Sequence, residues 1–107
     1  MAFRQCENLK FFYADEHLEY IGNECFAFCT KLEKINLPLS VKKIGHDCFR
    51  SCISLEKFNC PEISEIEDCT FYKCYNLKSV FLPNSIKKIN DYAFYKCQKL
   101  KEISIPT

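Results

Sequence analysis

Residues 29–51 read CTKLEKINLPLSVKKIGHDCFRS, and residues 74–96 repeat the pattern as CYNLKSVFLPNSIKKINDYAFYK. The pattern extends along the whole chain, where one cysteine column recurs at intervals of 23, 23, 22 and 23 residues: Cys6, Cys29, Cys52, Cys74 and Cys97. A leucine follows each of these cysteines three residues later. Self-similarity at a fixed period of this size predicts a solenoid, in which each unit buries its apolar face against its neighbours.

The pattern within one unit predicts its elements. Ile35 and Leu37 alternate with polar residues, which is the two-residue period of a half-buried strand. A proline follows and ends that strand, because proline cannot donate to a ladder, and a second short alternation comes next. Cys48 and Cys52 then lie four residues apart, as one helical turn would place them. Each unit is therefore predicted to contain a strand, a turn, a short second strand and a helical turn.

The first strands of successive units are expected to pair in parallel, about 4.8 Å apart and with right-handed connections, as one curved sheet. Their predicted centres are Phe12, Ile35, Phe58, Val80 and Ile103. The side chains predicted to be buried include Leu32, Ile44, Phe49, Leu77, Ile89 and Phe94. One unit is a residue short, because Ile63 lies two residues after Pro61 whereas Val41 lies three after Pro38.

The repeat resembles the leucine-rich repeats of the BspA-like class, whose units read roughly C-x-x-L-x-x-I-x-I-P, then V-x-x-I-G, then A-F-x-x-C. The resemblance covers essentially the whole chain. It departs where Asp15 replaces the proline, and where Glu67 and Asn90 replace the glycine of Gly22 and Gly45. The resemblance implies a leucine-rich-repeat solenoid, an α/β, β-rich fold. Its curved parallel sheet would form the concave face, with short second strands and single helical turns on the other sides.

The repeats predict a single domain over residues 1–107. It is divided into a partial unit 1–5, the units 6–28, 29–51, 52–73 and 74–96, and a terminal partial unit 97–107. Neither end carries the polar capping unit that solenoids normally need. We interpret the chain as a segment of a longer array. The alternative is a natural mini-solenoid whose ends pack on each other or on a second copy.

Charge and hydropathy exclude several classes of partner. Fifteen basic and fourteen acidic side chains give a net charge of +1, so no overall field favours nucleic acid or an anionic membrane. No apolar stretch approaches the roughly 20 residues of a membrane helix, and the start, MAFRQCENLK, lacks the apolar run of a secretion signal. We therefore predict neither nucleic-acid binding nor membrane insertion. Localisation stays open, since the resemblance implies the cell surface whereas many unpaired thiols favour an intracellular, reducing setting.

Nine cysteines in 107 residues cannot pair completely, because the number is odd. Cys25 and Cys29, then Cys48 and Cys52, repeat a C-x-x-x-C spacing, and four such thiols could in principle approach a tetrahedral zinc site. However, the second cysteine of each pair belongs to the column with one member per unit, whereas a metal needs its ligands at one place. We predict buried structural thiols, with a disulfide or a metal as the alternatives, and no cofactor.

No catalytic constellation can be identified in the sequence. His17 and His46 have no nucleophile partner at a recognised motif spacing, and Cys48, close to His46, occupies a core column. The phosphate-binding patterns G-x-G-x-x-G and G-K-[ST] are absent. We therefore expect that the chain is not an enzyme.

The outward positions of the first strands are the surface left for function, because they escape the core pattern. Phe11, Tyr13 and Phe81 stand out among them, since aromatic side chains are favoured interface anchors. Alternatively, Phe11 and Tyr13 could simply cover the first coil or meet a preceding unit. The predicted protein-binding residues of the concave face are Phe11, Tyr13, Lys34, Asn36, Lys57, Asn59, Ser79, Phe81, Glu102 and Ser104.

Two functions are compatible with these observations. The leading hypothesis is a non-catalytic protein–protein interaction module, since solenoids bind through such a face. The resemblance implies an adhesion or surface-protein segment. The alternative hypothesis is an intracellular structural scaffold, or a segment that self-associates through its uncapped ends. In neither case does the sequence identify the partner.

Overall fold

The chain winds into successive coils, each of which contributes short strands. The computed structural model describes residues 2–104, so the expectations that fall on residues 105–107 lie outside the described residues. We name coils 1 to 4 after units 6–28, 29–51, 52–73 and 74–96, and coil 5 begins at residue 97. The strands are β1 (Phe11–Tyr13), β2 (Tyr20–Ile21), β3 (Lys34–Asn36), β4 (Lys43–Ile44), β5 (Lys57–Asn59), β6 (Glu65–Ile66), β7 (Ser79–Phe81), β8 (Lys88–Ile89) and β9 (Glu102–Ser104).

The first strands of the five coils are β1, β3, β5, β7 and β9, and every pair they form is parallel. Phe12 lies beside Ile35, and Val80 lies between Phe58 and Ile103, so the five predicted strand centres are confirmed. The single continuous sheet is not found, because β3 and β5 do not pair. The first strands form two sheets, β1-β3 and β5-β7-β9. The second strands separate at the same junction, into β2-β4 and β6-β8.

Each coil has a third side, which follows its second strand. This side consists of turns and not of the helical turn that the sequence suggested. Residues 2–104 contain no helix, and therefore none long and apolar enough to cross a membrane. Two residues in each complete coil adopt a left-handed backbone with φ between 55° and 63°: Glu24 and Phe28, Asp47 and Ser51, Cys69 and Lys73, and Tyr92 and Lys96. A left-handed residue interrupts a right-handed helix.

Hydrogen bonds between coils offset the cost of this backbone, which is about 1–3 kcal/mol for a residue other than glycine. The N–H group of Phe28 donates to the Arg50 carbonyl oxygen at 2.8 Å, and that of Ser51 donates to Tyr72 at 2.8 Å. The third side therefore forms its own ladder, which continues across the junction where the strands separate.

One phenylalanine from each of coils 1 to 4, together with Phe3 of the partial unit 1–5, enters a continuous stack along the solenoid. The stacked rings belong to Phe3, Phe26, Phe49, Phe71 and Phe94. Neighbouring ring centroids lie 5.3–5.5 Å apart, and neighbouring ring planes are within 9° of parallel. First-strand rings pack edge-on against the stack, with Phe12 and Phe58 each 4.9 Å from a stacked ring. Offset and edge-on aromatic pairs stabilise beyond their buried area, so the stack helps to set the spacing of the coils.

The predicted core columns are confirmed for the inner coils. The side chains with at most 2% exposure include Leu32, Ile44, Phe49 and Leu77. The prediction for Ile89 is wrong, because this side chain is 47% exposed, and Phe94 is only half-buried. Ile89 lies in β8, which pairs with β6 on one side and with no described strand on the other.

The regular cysteine column donates hydrogen bonds inside the core. Four of its five thiols donate to a carbonyl oxygen of the phenylalanine stack 25 or 26 residues earlier: Cys29 to Phe3 at 3.0 Å, Cys52 to Phe26 at 3.2 Å, Cys74 to Phe49 at 3.0 Å and Cys97 to Phe71 at 3.1 Å. Cysteine is small and largely apolar, yet it carries a weak S–H donor. This combination accounts for its recurrence at a tight corner that contains a carbonyl group.

Gly45 allows the close approach of coils 1 and 2. A Cβ atom at this position would lie 2.6 Å from the backbone nitrogen of Asn23 and would also meet the Asn23 side-chain oxygen. That oxygen accepts a hydrogen bond from the His46 N–H group at 3.0 Å. A side chain at position 45 would therefore push apart the two coils at this contact.

Replacing Phe49 with alanine should lower the free energy of unfolding by about 3–5 kcal/mol, because the ring is fully buried in the middle of the stack. Urea denaturation followed by circular dichroism measures the change. Phe94→Ala is the matched control and should cost less, since that ring is half-buried. A loss below about 1 kcal/mol at Phe49 would show that the ring lies outside the core.

Candidate binding face

The outward side chains of the first strands lie side by side and form what we call the sheet face. Its members are Phe11, Tyr13, Lys34, Asn36, Lys57, Asn59, Ser79, Phe81, Glu102 and Ser104. All are exposed except Ser79 and Ser104, which are half-buried. Tyr13 is 65% exposed, Phe11 47% and Phe81 40%. The structure thus brings the ten predicted residues to one surface, and their role in binding stays a prediction.

The sheet face is interrupted by a gap between Lys34–Asn36 and Lys57–Asn59, which we call the β3–β5 gap. At a paired junction, the Cys60 N–H group donates to the Phe81 carbonyl oxygen at 2.9 Å. The equivalent bond from Leu37 to Asn59 is absent, and β3 and β5 share no ladder. Both strands therefore present backbone N–H and C=O groups to the gap, where water or a ligand must satisfy them.

Like charges meet across this gap. Lys34 and Lys57 occupy one column of the repeat and both line the gap, as do Glu33 and Glu56 in the preceding column. Like charges on neighbouring strands destabilise their pairing. At the next junction, by contrast, the Lys78 ammonium lies 3.1 Å from the Glu56 carboxylate. Charge therefore opposes closure between β3 and β5 and favours it between β5 and β7.

The gap also coincides with the short repeat. In coil 2, the Val41 N–H group closes a four-residue turn by donating to the Pro38 carbonyl oxygen at 3.2 Å. In coil 3, the Ile63 N–H group donates to Pro61 at 2.7 Å and closes a turn of only three residues. The corner between the two strands is therefore tighter in coil 3 than in coil 2.

A corner hydrogen bond is lost at the same place. The Ser40 hydroxyl of coil 2 donates to the Leu18 carbonyl oxygen at 2.7 Å, and the Ser85 hydroxyl of coil 4 donates to Ile63 at 2.8 Å. Coil 3 has Glu62 before its first apolar corner residue, and an ionised carboxylate has no proton to donate. Coils 2 and 3 are thus not joined at this corner as their neighbours are.

Two hollows open on the sheet face and meet at Asn59. The first has a volume of about 460 Å³, occupies the β3–β5 gap, and is lined by Tyr13, Glu33, Lys34, Ile35, Asn36, Ser54, Glu56, Lys57 and Asn59. The second has a volume of about 370 Å³ and is lined by Asn59, Cys60, Glu62, Phe81, Leu82, Pro83 and Ser104. Sequence reasoning missed the contribution of Glu33, Ser54 and Glu56, although the 22-residue interval marked this unit as different.

The contacts of the two histidines are with neighbouring residues, through the ring of His46 and through the backbone of His17. His46 Nδ1 lies 2.9 Å from Asp47 Oδ2, and the His17 backbone N–H group donates to Asp15 Oδ1 at 2.7 Å. Cys48, the conceivable partner of His46, is fully buried and therefore inaccessible to a substrate. Over residues 2–104, no group of three or more His, Cys, Asp or Glu side chains is arranged to hold a metal ion.

All nine cysteines lie within the described residues and are free thiols. Burial raises the pKa of Cys48 and of Cys74 well above the ordinary value of 9.0. Burial, with a smaller contribution from the charge of Glu62, raises the pKa of Cys60 to about 12, and burial raises the pKa of Cys97 to about 11. The thiolate is the nucleophile and the metal ligand, so these cysteines are poorly suited to either role at neutral pH.

Alkylation of the folded protein should be slow at Cys60 and Cys97. At about pH 8, roughly a tenth of a thiol with the ordinary pKa of 9.0 is ionised, against roughly one part in a thousand for a thiol of pKa about 11. Because the pKa is raised, the rate should climb as the pH approaches 11. Iodoacetamide kinetics with peptide mass spectrometry measure each site against free cysteine.

The same spectra test the state of the cysteine column. The native mass should correspond to nine thiols without metal, and unfolding in urea should make all nine react. A mass deficit from disulfides, a bound zinc ion, or alkylation of Cys60 and Cys97 as fast as that of free cysteine would contradict the structural role.

Comparison with known proteins identifies the repeat. A family model described as BspA type leucine rich repeat region matches residues 1–107 with six copies. No curated protein matches the chain.

Solved bacterial structures share the fold. A leucine-rich repeat protein from T. pallidum is 35% identical, with a TM-score of 0.92, over 95% of this chain and 48% of that one. One from Bacteroides ovatus is 32% identical, with a TM-score of 0.84, over 94% and 26%. A leucine rich cell surface protein from Faecalibacterium prausnitzii is 26% identical, with a TM-score of 0.68, over 91% and 32%. The chain thus spans about half the length of the first protein and less of the other two.

The cysteine and leucine columns, the parallel ladders of the coils and the six matched repeats all lead to the same assignment. This chain belongs to the BspA type leucine-rich repeat family.

Proposed function

We propose that the chain is a non-catalytic protein-binding module whose partner contacts the sheet face. One observation carries the proposal: three exposed aromatic side chains, Phe11, Tyr13 and Phe81, share this face with two hollows. Exposed aromatic rings are costly in water, and interface anchors are rich in such rings seated beside pockets. A partner that covered them would bury apolar area without a change in the fold.

The layout of the face supports two points of contact. Tyr13 lines the hollow in the β3–β5 gap, Phe81 lines the second hollow, and Asn59 lines both. An aromatic anchor at each hollow, with an amide donor and acceptor between them, resembles the apolar and polar mixture of protein interfaces. The charged and amide side chains of the gap would then form hydrogen bonds and ion pairs around the anchors.

The comparisons support surface placement only by analogy. One structural neighbour, from Faecalibacterium prausnitzii, is described as a cell surface protein. We therefore propose that the module works in a surface or adhesion protein. Fold alone does not determine function, and the sheet face is what this proposal rests on.

Self-association is a second candidate, favoured by the exposure of Ile89 at 47% and Ile103 at 44% in the last coils. Apolar side chains at a strand edge are a ready template for a second chain. A self-associating segment would grow in size with concentration in light scattering. A module that acts only through its sheet face would not.

Glutamate at Phe11, Tyr13 and Phe81 together should abolish binding and leave the free energy of unfolding within about 0.5 kcal/mol of the original chain, as for ordinary surface sites. Random-peptide phage selected on the immobilised original chain provide the binding assay. The selected peptides should not bind the triple variant, because each anchor is replaced by a charge.

The matched control carries glutamate at Tyr20, Tyr92 and Tyr95, which are 64%, 63% and 41% exposed and lie outside the first strands, in a second strand and in the turns that follow one. This control adds the same three negative charges, and the selected peptides should still bind to it. Full binding by the sheet-face variant, or the absence of any selected peptide, would contradict the proposed function. Unfolding of that variant would instead place the three rings in the core or in a cap.

A further inference from the structure

We propose that the β3–β5 gap is an acceptor site for an acidic segment of the partner, with one carboxylate inserted between Lys34 and Lys57. The inference rests on the proposed function, because it assigns the chemistry of the segment that the sheet face binds. The gap is a break in a backbone ladder, and the groups that line it are available to something outside the chain.

The two lysines have no counter-ion in the structure. Lys42 lies 3.3 Å from Glu19, and Lys78 lies 3.1 Å from Glu56, but Lys34 and Lys57 form no ion pair with any residue from 2 to 104. They are neighbours in one column of the repeat, so their two positive charges repel each other. A carboxylate placed between them would relieve that repulsion and accept a hydrogen bond from each.

Uncharged donors surround the same position. The Asn36 and Asn59 carboxamides and the Tyr13 hydroxyl line the gap. The backbone N–H groups that would have joined β3 to β5, such as that of Leu37, have no strand partner. The ammonium groups of Lys34 and Lys57 can only donate, and these N–H and O–H groups add further donors beside them for an anion.

Two carboxylates oppose this preference and must be counted. Glu33 and Glu56 also line the gap, at the end where β3 and β5 begin. Glu56 is already paired with Lys78. The charged groups of the lining that remain unpaired are the ammonium groups of Lys34 and Lys57 and the carboxylate of Glu33, which leaves a balance of +1. The anion is expected beside the lysines and away from Glu33.

A protein segment is the expected source of the carboxylate, as against a small free anion. The gap continues along the sheet face into the second hollow through Asn59, and Tyr13 and Phe81 lie at the two ends of this path. An extended acidic segment could place its carboxylate in the gap and apolar side chains on the rings. A free anion would use only the first of these contacts.

The probe is a peptide of alternating glycine and glutamate, and its neutral control has glutamine for glutamate. We expect the acidic peptide to shift the amide resonances of Ile35, Leu37 and Asn59 in ¹⁵N-labelled protein. Affinity should fall about tenfold in Lys34→Gln with Lys57→Gln. The matched variant Lys87→Gln with Lys99→Gln removes two exposed lysines that do not line the gap and should stay within about twofold, because screening weakens distant charges.

Each other outcome overturns the inference. Equal binding of the two peptides, equal loss in the two double variants, or shifts confined to other sides of the solenoid would show that the gap does not select a carboxylate. Circular dichroism checks that both variants remain folded. If the selected phage peptides still depend on Phe11, Tyr13 and Phe81 while the acidic peptide ignores Lys34 and Lys57, only this inference fails. If no peptide depends on the aromatic side chains, the proposed function fails as well.

Discussion

The phenylalanine stack is the constraint on which the other features of this solenoid depend. Its rings lie 5.3–5.5 Å apart, slightly more than the roughly 4.8 Å between hydrogen-bonded strands. The coils must therefore satisfy a ring spacing at the centre and a ladder spacing at the periphery. The cysteine thiols link the backbone of neighbouring coils at the stack, since they donate to the carbonyl groups of the stacked phenylalanines.

At the junction of coils 2 and 3, the spacing of the phenylalanine rings is kept and the pairing of the strands is lost. Phe49 and Phe71 keep a centroid distance of 5.5 Å, and Phe49 N–H still donates to Thr70 on the third side at 2.9 Å. The ring stack and the hydrogen bonds of the third side are thus kept. The missing residue of the short repeat therefore shows its effect on the two strand sides, where the strands do not pair. One of those sides is the sheet face. The irregularity of the repeat thus falls on the surface available for binding.

The columns of the repeat made the core predictable, because a residue such as Leu32 or Phe49 recurs wherever packing demands it. Left-handed residues could not be foreseen, since Glu24 and Phe28 carry no sequence signal for that backbone and glycine is absent there. The exposure of Ile89 depends on which residues pack against β8, and the recurrence of an apolar residue at this position of the repeat does not show that. The β3–β5 gap had a visible sign in the two-residue step from Pro61 to Ile63. Whether this step prevents the pairing of β3 and β5 depends on contacts between neighbouring coils, which the sequence period does not describe.

Inserting one serine between Glu62 and Ile63 tests the central claim most directly, because the resulting P-E-S-I has the length and the serine of P-L-S-V at residues 38–41. Amide hydrogen exchange is measured at Leu37, with the paired amide of Cys60 as the internal reference. In the original chain Leu37 should exchange about a hundredfold faster than Cys60, and the insertion should bring the two rates together. A Leu37 amide that is already as protected as Cys60, or that the insertion leaves unchanged, would contradict the account.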